Sequence, residues 1–81
     1  MARQHHYLKT LPKYFLPVER GVKNFEVRFN DRGYAVGDML HLREFADGEF
    51  TGREITKEIC YILDSAEYCK EGFVVLGLKG E

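Results

Sequence analysis

Apolar and polar residues alternate with period two over most of this chain, and one short stretch near the start follows a helical period instead. "KNFEVRF" (23–29) sets Phe25, Val27 and Phe29 against Asn24, Glu26 and Arg28, the pattern of a strand with two unlike faces. "MLHLREF" repeats it with Leu40 and Leu42 on a common face. "EITKEICYIL" reads as a long strand in which Ile55, Ile59, Tyr61 and Leu63 point one way, with Lys57 interrupting that face. Such a charge on an apolar row implies a wet strand end or a bulge. "HHYLK" forms a brief first strand and "FVVLGLK" an apolar last one.

The helical stretch is "TLPKYFLPVERG". Leu11, Phe15 and Val18, with Tyr14 beside them, make its core stripe, Thr10 is placed to cap it, and Pro12 is tolerated in its first turn. Gly21 stands just past its end, and Pro17 removes a hydrogen bond, so the helix is expected to be short or kinked. Turns fall at "NDRG", at Gly37-Asp38 and through "ADGEFTGRE", a hairpin connection; "DSAEYCKEG" is a loop or helical turn. One early helix and short strands joined by tight turns predict a mixed α/β, mainly β domain. The expected form is a small barrel of about five to six strands, a closure that removes exposed sheet edges, with the helix at one end.

At 81 residues, 44% hydrophobic and 31% charged, the chain forms one domain with one small core. Cys60 and Cys69 are too few for a disulfide scaffold, and with three histidines they match no metal motif. Buried, reduced thiols are expected, along with no metal and no cofactor. No apolar run approaches the ~20 residues of a membrane span and the first residues lack a leader pattern, so the expectation is a cytoplasmic protein without membrane contact. Net charge is −1, but residues 1–32 carry seven basic against three acidic side chains, and residues 33–81 five against ten. That asymmetry permits a basic patch on an acidic body.

Lys23, Glu26 and Arg28 are the candidate chemistry. Residues two apart on a strand share a face at about 6.5–7 Å, so Glu26 and Arg28 can lean together while Lys23 enters from the helix–strand junction. An arginine fork suits phosphate or a base edge, lysine supplies a point charge, and a carboxylate accepts from base amino groups. A solvated outer face explains the same pattern, and spacing does not decide between the two. His6 and Lys9 are placed to flank such a site. Arg43 and Arg53 are surface charges within reach of phosphate, Tyr34 suits either base stacking or the core, and Asn30 and Asp31 suit their turn.

"GVKNFEVR" fits G-x-K-x-x-E-x-R, and on it the chain resembles the ASCH domains of the PUA-like superfamily. "HYLKTLPKYF", "KNFEVRFNDRGYAVGDMLHLREF", "FTGREIT", "YIL" and "GFVVLGL" extend the likeness from His6 to Lys79, toward a small bacterial and phage branch of unknown function. The resemblance implies a PUA-type barrel and an RNA- or nucleotide-binding cleft beside the helix, lined by Gly21, Lys23, Glu26 and Arg28. Some compact relatives resemble amidohydrolases acting on acylated cytidine through a lysine, a threonine and a distant glutamate. Lys23 matches that lysine, whereas Glu26 stands at the threonine position, so an enzyme of this kind would rest on Lys23 and Glu26. A protein-interaction module without ligand is the third reading. The sequence leaves oligomeric state open.

Overall fold

The register of β4 with both its neighbours organises the molecule. In the computed structural model, which describes residues 2–80, five strands build one sheet: β1 (His5–Thr10), β2 (Phe25–Phe29), β3 (Met39–Ala46), β4 (Glu49–Leu63) and β5 (Phe73–Lys79). Their order is β1-β3-β4-β5-β2, with β1 parallel to β3 and every other pair antiparallel. The sheet curls into a half-barrel around one helix, α1 (Pro12–Glu19), the mainly β architecture the periodicity implies. Strands β1 and β2 end the hydrogen-bonded order, and a side chain spans the seam between them.

The core lies in the curl. Leu8, Leu40, Leu42, Ile59, Val74 and Leu76 line the concave face, and α1 drives Phe15 and Val18 into it. Each fully buried side chain of this size stabilises the fold by about 1.5–3 kcal/mol. The helix begins with Pro12 at its first position and has Leu11, not Thr10, as its N-cap, with no side-chain capping bond. Thr10 is instead the last residue of β1, paired with Glu44 of β3; the parallel ladder holds it extended. The helix, with Pro17 inside it, runs only eight residues. It ends in a Schellman motif: Gly21 N–H donates to Val18 O, Val22 N–H to Pro17 O, and Gly21 takes φ +77°.

Local chemistry sets the remaining register. Asp47 (φ 53°) and Gly48 (φ 83°) form the two-residue β3–β4 turn between paired Ala46 and Glu49, as tight hairpins require positive φ at both positions. A bulge follows between Ile59 and Tyr61, where Ile59 pairs with Leu78 and Tyr61 with the adjacent Gly77. Cys60 is the extra residue. Beyond it the strand's faces exchange, so Tyr61 and Leu63 do not share the inward face of Ile59: Ile62 turns inward and Tyr61 lies on the surface. The same bulge leaves Cys60 exposed and Cys69 is half-buried, correcting the expectation of two buried thiols.

Candidate binding cleft

Strand β2 is turned opposite to what its hydrophobic content suggests. Phe25, Val27 and Phe29 face solvent, and Glu26, between them, is only 2% exposed. A buried carboxylate is tolerable only if it is paired and hydrogen-bonded, and Glu26 has both forms of support. Lys23 Nζ donates to its Oε1 at 2.5 Å. Arg28 donates to Oε2 through Nε at 3.2 Å and lies 3.1 Å away through Nη2. The Schellman turn at Gly21 fixes Lys23, whose N–H donates to Pro17 O, while the β2–β5 ladder fixes Glu26 opposite Leu76 and Arg28 opposite Val74. Helix end and strand thus bring three charges to one point.

Arg28 also closes the seam. Its Nη2 donates to Lys9 O at 3.1 Å and to Thr10 Oγ1 at 3.2 Å, joining β2 to the end of β1. The two Nη1 hydrogens meet no acceptor among the described residues. Over this seam opens a cleft of about 550 Å³, lined by Lys9, Thr10, Leu11, Tyr14, Lys23, Phe25 and the Glu26–Arg28 segment. Its volume lies within the roughly 300–1,000 Å³ of small-ligand sites. Tyr14 from α1 and Phe25 from β2 both lie near the Lys23 ammonium, with ring centroids 5.7 and 5.3 Å away. The floor is therefore ionic and the walls are largely apolar. Two cations against one carboxylate leave it net positive.

The other sequence candidates divide. Lys9 reaches the cleft, though its ammonium sits over the Phe45 ring at 4.2 Å, leaving its carbonyl at the seam. Gly21 shapes the approach to Lys23 but does not line the cleft. His6 does not flank it. The ring is buried against Tyr34, and its Nε2 donates to Asp38 Oδ2 at 2.9 Å; the acceptor-only carboxylate requires the proton on that nitrogen. Tyr34 is a core residue whose phenol is pushed up by burial. Asn30 Oδ1 accepts from Tyr34 N–H and Asp31 pairs with Arg32, so both serve their turn. Arg43 pairs with Glu54 and lies over Tyr7. Arg53 pairs with Glu19 and Glu44, and the hydrogen bond between Arg53 and Glu19 lowers the carboxyl's pKa and raises the guanidinium's.

Sequence reasoning missed Thr10, Tyr14 and Phe25 as cleft residues. Tyr14 lies three residues from Leu11 on the helix, one turn apart, which was the available signal; Phe25 reads as core by composition. Asp38 was also missed as the anchor of the opposite end. It accepts from Gln4 N–H, Ala35 N–H and His6, and although burial raises its pKa, these bonds outweigh burial and hold it below the ordinary value. Among the described residues no cluster of three His, Cys, Asp or Glu side chains is arranged to hold a metal, and no helix is long and apolar enough to cross a membrane.

Comparison with known proteins gives relatives but no activity. The chain is 35% identical over all 81 of its residues to an uncharacterized 12.9 kDa protein in the GpA 3′ region of Escherichia phage P2, covering 74% of that protein. The match to a family model runs over residues 5–78, all of the strands but the last residue of β5 and the whole of the cleft, so the chain belongs to the family described as a domain of unknown function, DUF3850.

Proposed function

We propose that the seam cleft binds a phosphate-bearing nucleotide, presented by single-stranded RNA. The observation that carries this reading is the Glu26 carboxylate, held beneath the cleft by Lys23 and Arg28. It orients both cations while leaving the site net positive, and Nη1 of Arg28 keeps its N–H donors for an anion. Tyr14 and Phe25 provide ring faces for an unstacked base, the usual means by which single strands are held. The likeness of "GVKNFEVR" to the ASCH signature supports the same assignment, since its lysine, glutamate and arginine meet at this cleft.

Fluorescence anisotropy with a labelled single-stranded RNA tests it. Two engaged phosphates predict a log–log salt slope of about −1.4 between roughly 50 and 200 mM salt. Replacing Arg28 by alanine should weaken binding at least tenfold (about 1.4 kcal/mol) while circular dichroism stays native. Equal affinity of wild type and variant contradicts the proposal.

The hydrolase reading has one geometric support, the direct Lys23–Glu26 hydrogen bond at the cleft. The one cleft hydroxyl besides Tyr14, Thr10 Oγ1, donates to Leu8 O at 3.2 Å and accepts from Arg28, so no general base activates it. Incubation with acylated cytidine followed by chromatography distinguishes the readings: release of acyl group that is lost in Lys23→Ala favours the enzyme, and intact substrate favours binding alone.

A further inference from the structure

The convex face of β4, β5 and β2 is apolar and uncovered. Its rows follow the strand register: Phe25 beside Gly77 beside Tyr61, then Val27 beside Val75 beside Leu63. A third row pairs Phe29 with Phe73, their rings edge to face with centroids 5.4 Å apart. Phe25, Val27, Phe29 and Tyr61 are 45%, 54%, 55% and 63% exposed. The inverted setting of β2 and the bulge at Cys60 create this face, the first turning Phe25, Val27 and Phe29 outward and the second Tyr61 and Leu63. Water contact is a cost that a lone domain of this size has little means to offset.

We infer that this face is a homodimer interface, packed sheet against sheet with a second copy. Size is the first argument. At about 200 Å² per aromatic side chain, the exposed fractions of Phe25, Phe29 and Tyr61 alone come to about 330 Å². The valines, Leu63 and Phe73 carry the total to about 400–500 Å², the scale on which exposed apolar surface marks association. A standard interface buries about 800 Å² per partner and is a little over half apolar, so the patch with its polar rim suffices.

Self-complementarity is the second argument. A two-fold axis lying along the Val27–Val75–Leu63 row sets that row on its own copy and reverses the strands. Phe73, two residues to one side of Val75, then comes over Gly77, two residues to the other side. Gly77 bears no side chain, and Tyr61 Cβ and Cys60 Sγ lie 3.2 and 3.7 Å from where its Cβ would stand. Phe29 meets the partner copy's equivalent of the Phe25 row. The rim agrees in charge: Lys79, paired with Glu58 at 3.6 Å, approaches the Lys70–Glu71 turn of the other copy, giving one Lys79–Glu71 pairing at each end. The same face on both copies is what a two-fold dimer requires.

Sedimentation velocity over a dilution series from submillimolar to micromolar protein tests the inference. Wild type should pass from twice the chain mass to the chain mass, and Val27→Lys should raise the dissociation constant at least tenfold. Tyr61→Lys is the second variant, because that ring is largely solvent-facing and its replacement spares the core; each variant is checked by circular dichroism. A wild type that is monomeric throughout overturns the inference, whether or not the face then captures a different protein. A dimer that survives folded Val27→Lys or Tyr61→Lys does so too. Phe25 and Val27 border the seam cleft as well, so Tyr61→Lys, which lies outside it, is the variant that separates loss of the dimer from loss of RNA binding.

Discussion

Replacing Glu26 by glutamine should be among the most destabilising single-atom changes available in this protein. The substitution keeps shape and volume but leaves Lys23 and Arg28 facing a neutral amide. Breaking a buried ion pair by neutralising one partner costs about 3–5 kcal/mol. Lys23 and Arg28 keep 16% and 25% side-chain exposure, so water relieves part of the strain and about 2–3 kcal/mol is expected. For 81 residues, stability near 0.05–0.15 kcal/mol per residue gives a total of about 4–12 kcal/mol. The loss is thus a substantial fraction, and at about 4–8 °C per kcal/mol it lowers the melting temperature by about 10–20 °C. Urea titration at neutral pH, followed by far-ultraviolet circular dichroism, measures it. Glu54→Gln, a partly exposed carboxylate paired with Arg43, is the control and should lose under about 1 kcal/mol. If Glu26→Gln loses no more than the control, the carboxylate does not organise the cleft.

Three further outcomes follow from particular contacts. Asp38 has a depressed pKa in the fold, so its contribution is full above its unfolded value near 3.8 and vanishes as pH falls through the lower folded value; wild type and Asp38→Asn should therefore differ in urea stability at pH 7 and converge as pH falls below that folded value. Gly72→Ala should cost at least about 1 kcal/mol by thermal melting: Gly72 has φ +83°, and an added Cβ meets the Phe29 ring at 2.5 Å. Thr10→Val should leave the β1–β3 ladder intact yet weaken RNA binding by severalfold in the anisotropy assay, because Arg28 loses one of its seam acceptors.

The strands were readable because their alternation is local, and the turns because Asp47-Gly48 and Gly21 need positive φ. What alternation cannot say is which face of a strand points inward. In β2 the hydrophobic rule selects Phe25, Val27 and Phe29, yet Glu26 is the buried residue, because Lys23 and Arg28 converge on it only after the helix ends and β2 docks on β5. Pairing over long separations decided the other departures. The Thr10 side chain looks like a cap until the β1–β3 ladder extends through it. His6 finds Asp38 32 residues away, and the bulge at Cys60 reverses Tyr61 and Leu63 without leaving a mark on the local pattern beyond Lys57. The motif residues Lys23, Glu26 and Arg28 were legible as a group. Their neighbours Tyr14 and Phe25 were not, since aromatic residues at helical or strand spacing read first as core.

The most direct test of the account is an NMR titration of the ¹⁵N-labelled protein with short single-stranded RNA. Amide shifts should concentrate on Lys9, Thr10, Tyr14 and the Lys23–Arg28 segment and be abolished in a folded Arg28→Ala variant. No shifts at saturating RNA, or shifts confined to surfaces away from the β1–β2 seam, would contradict it.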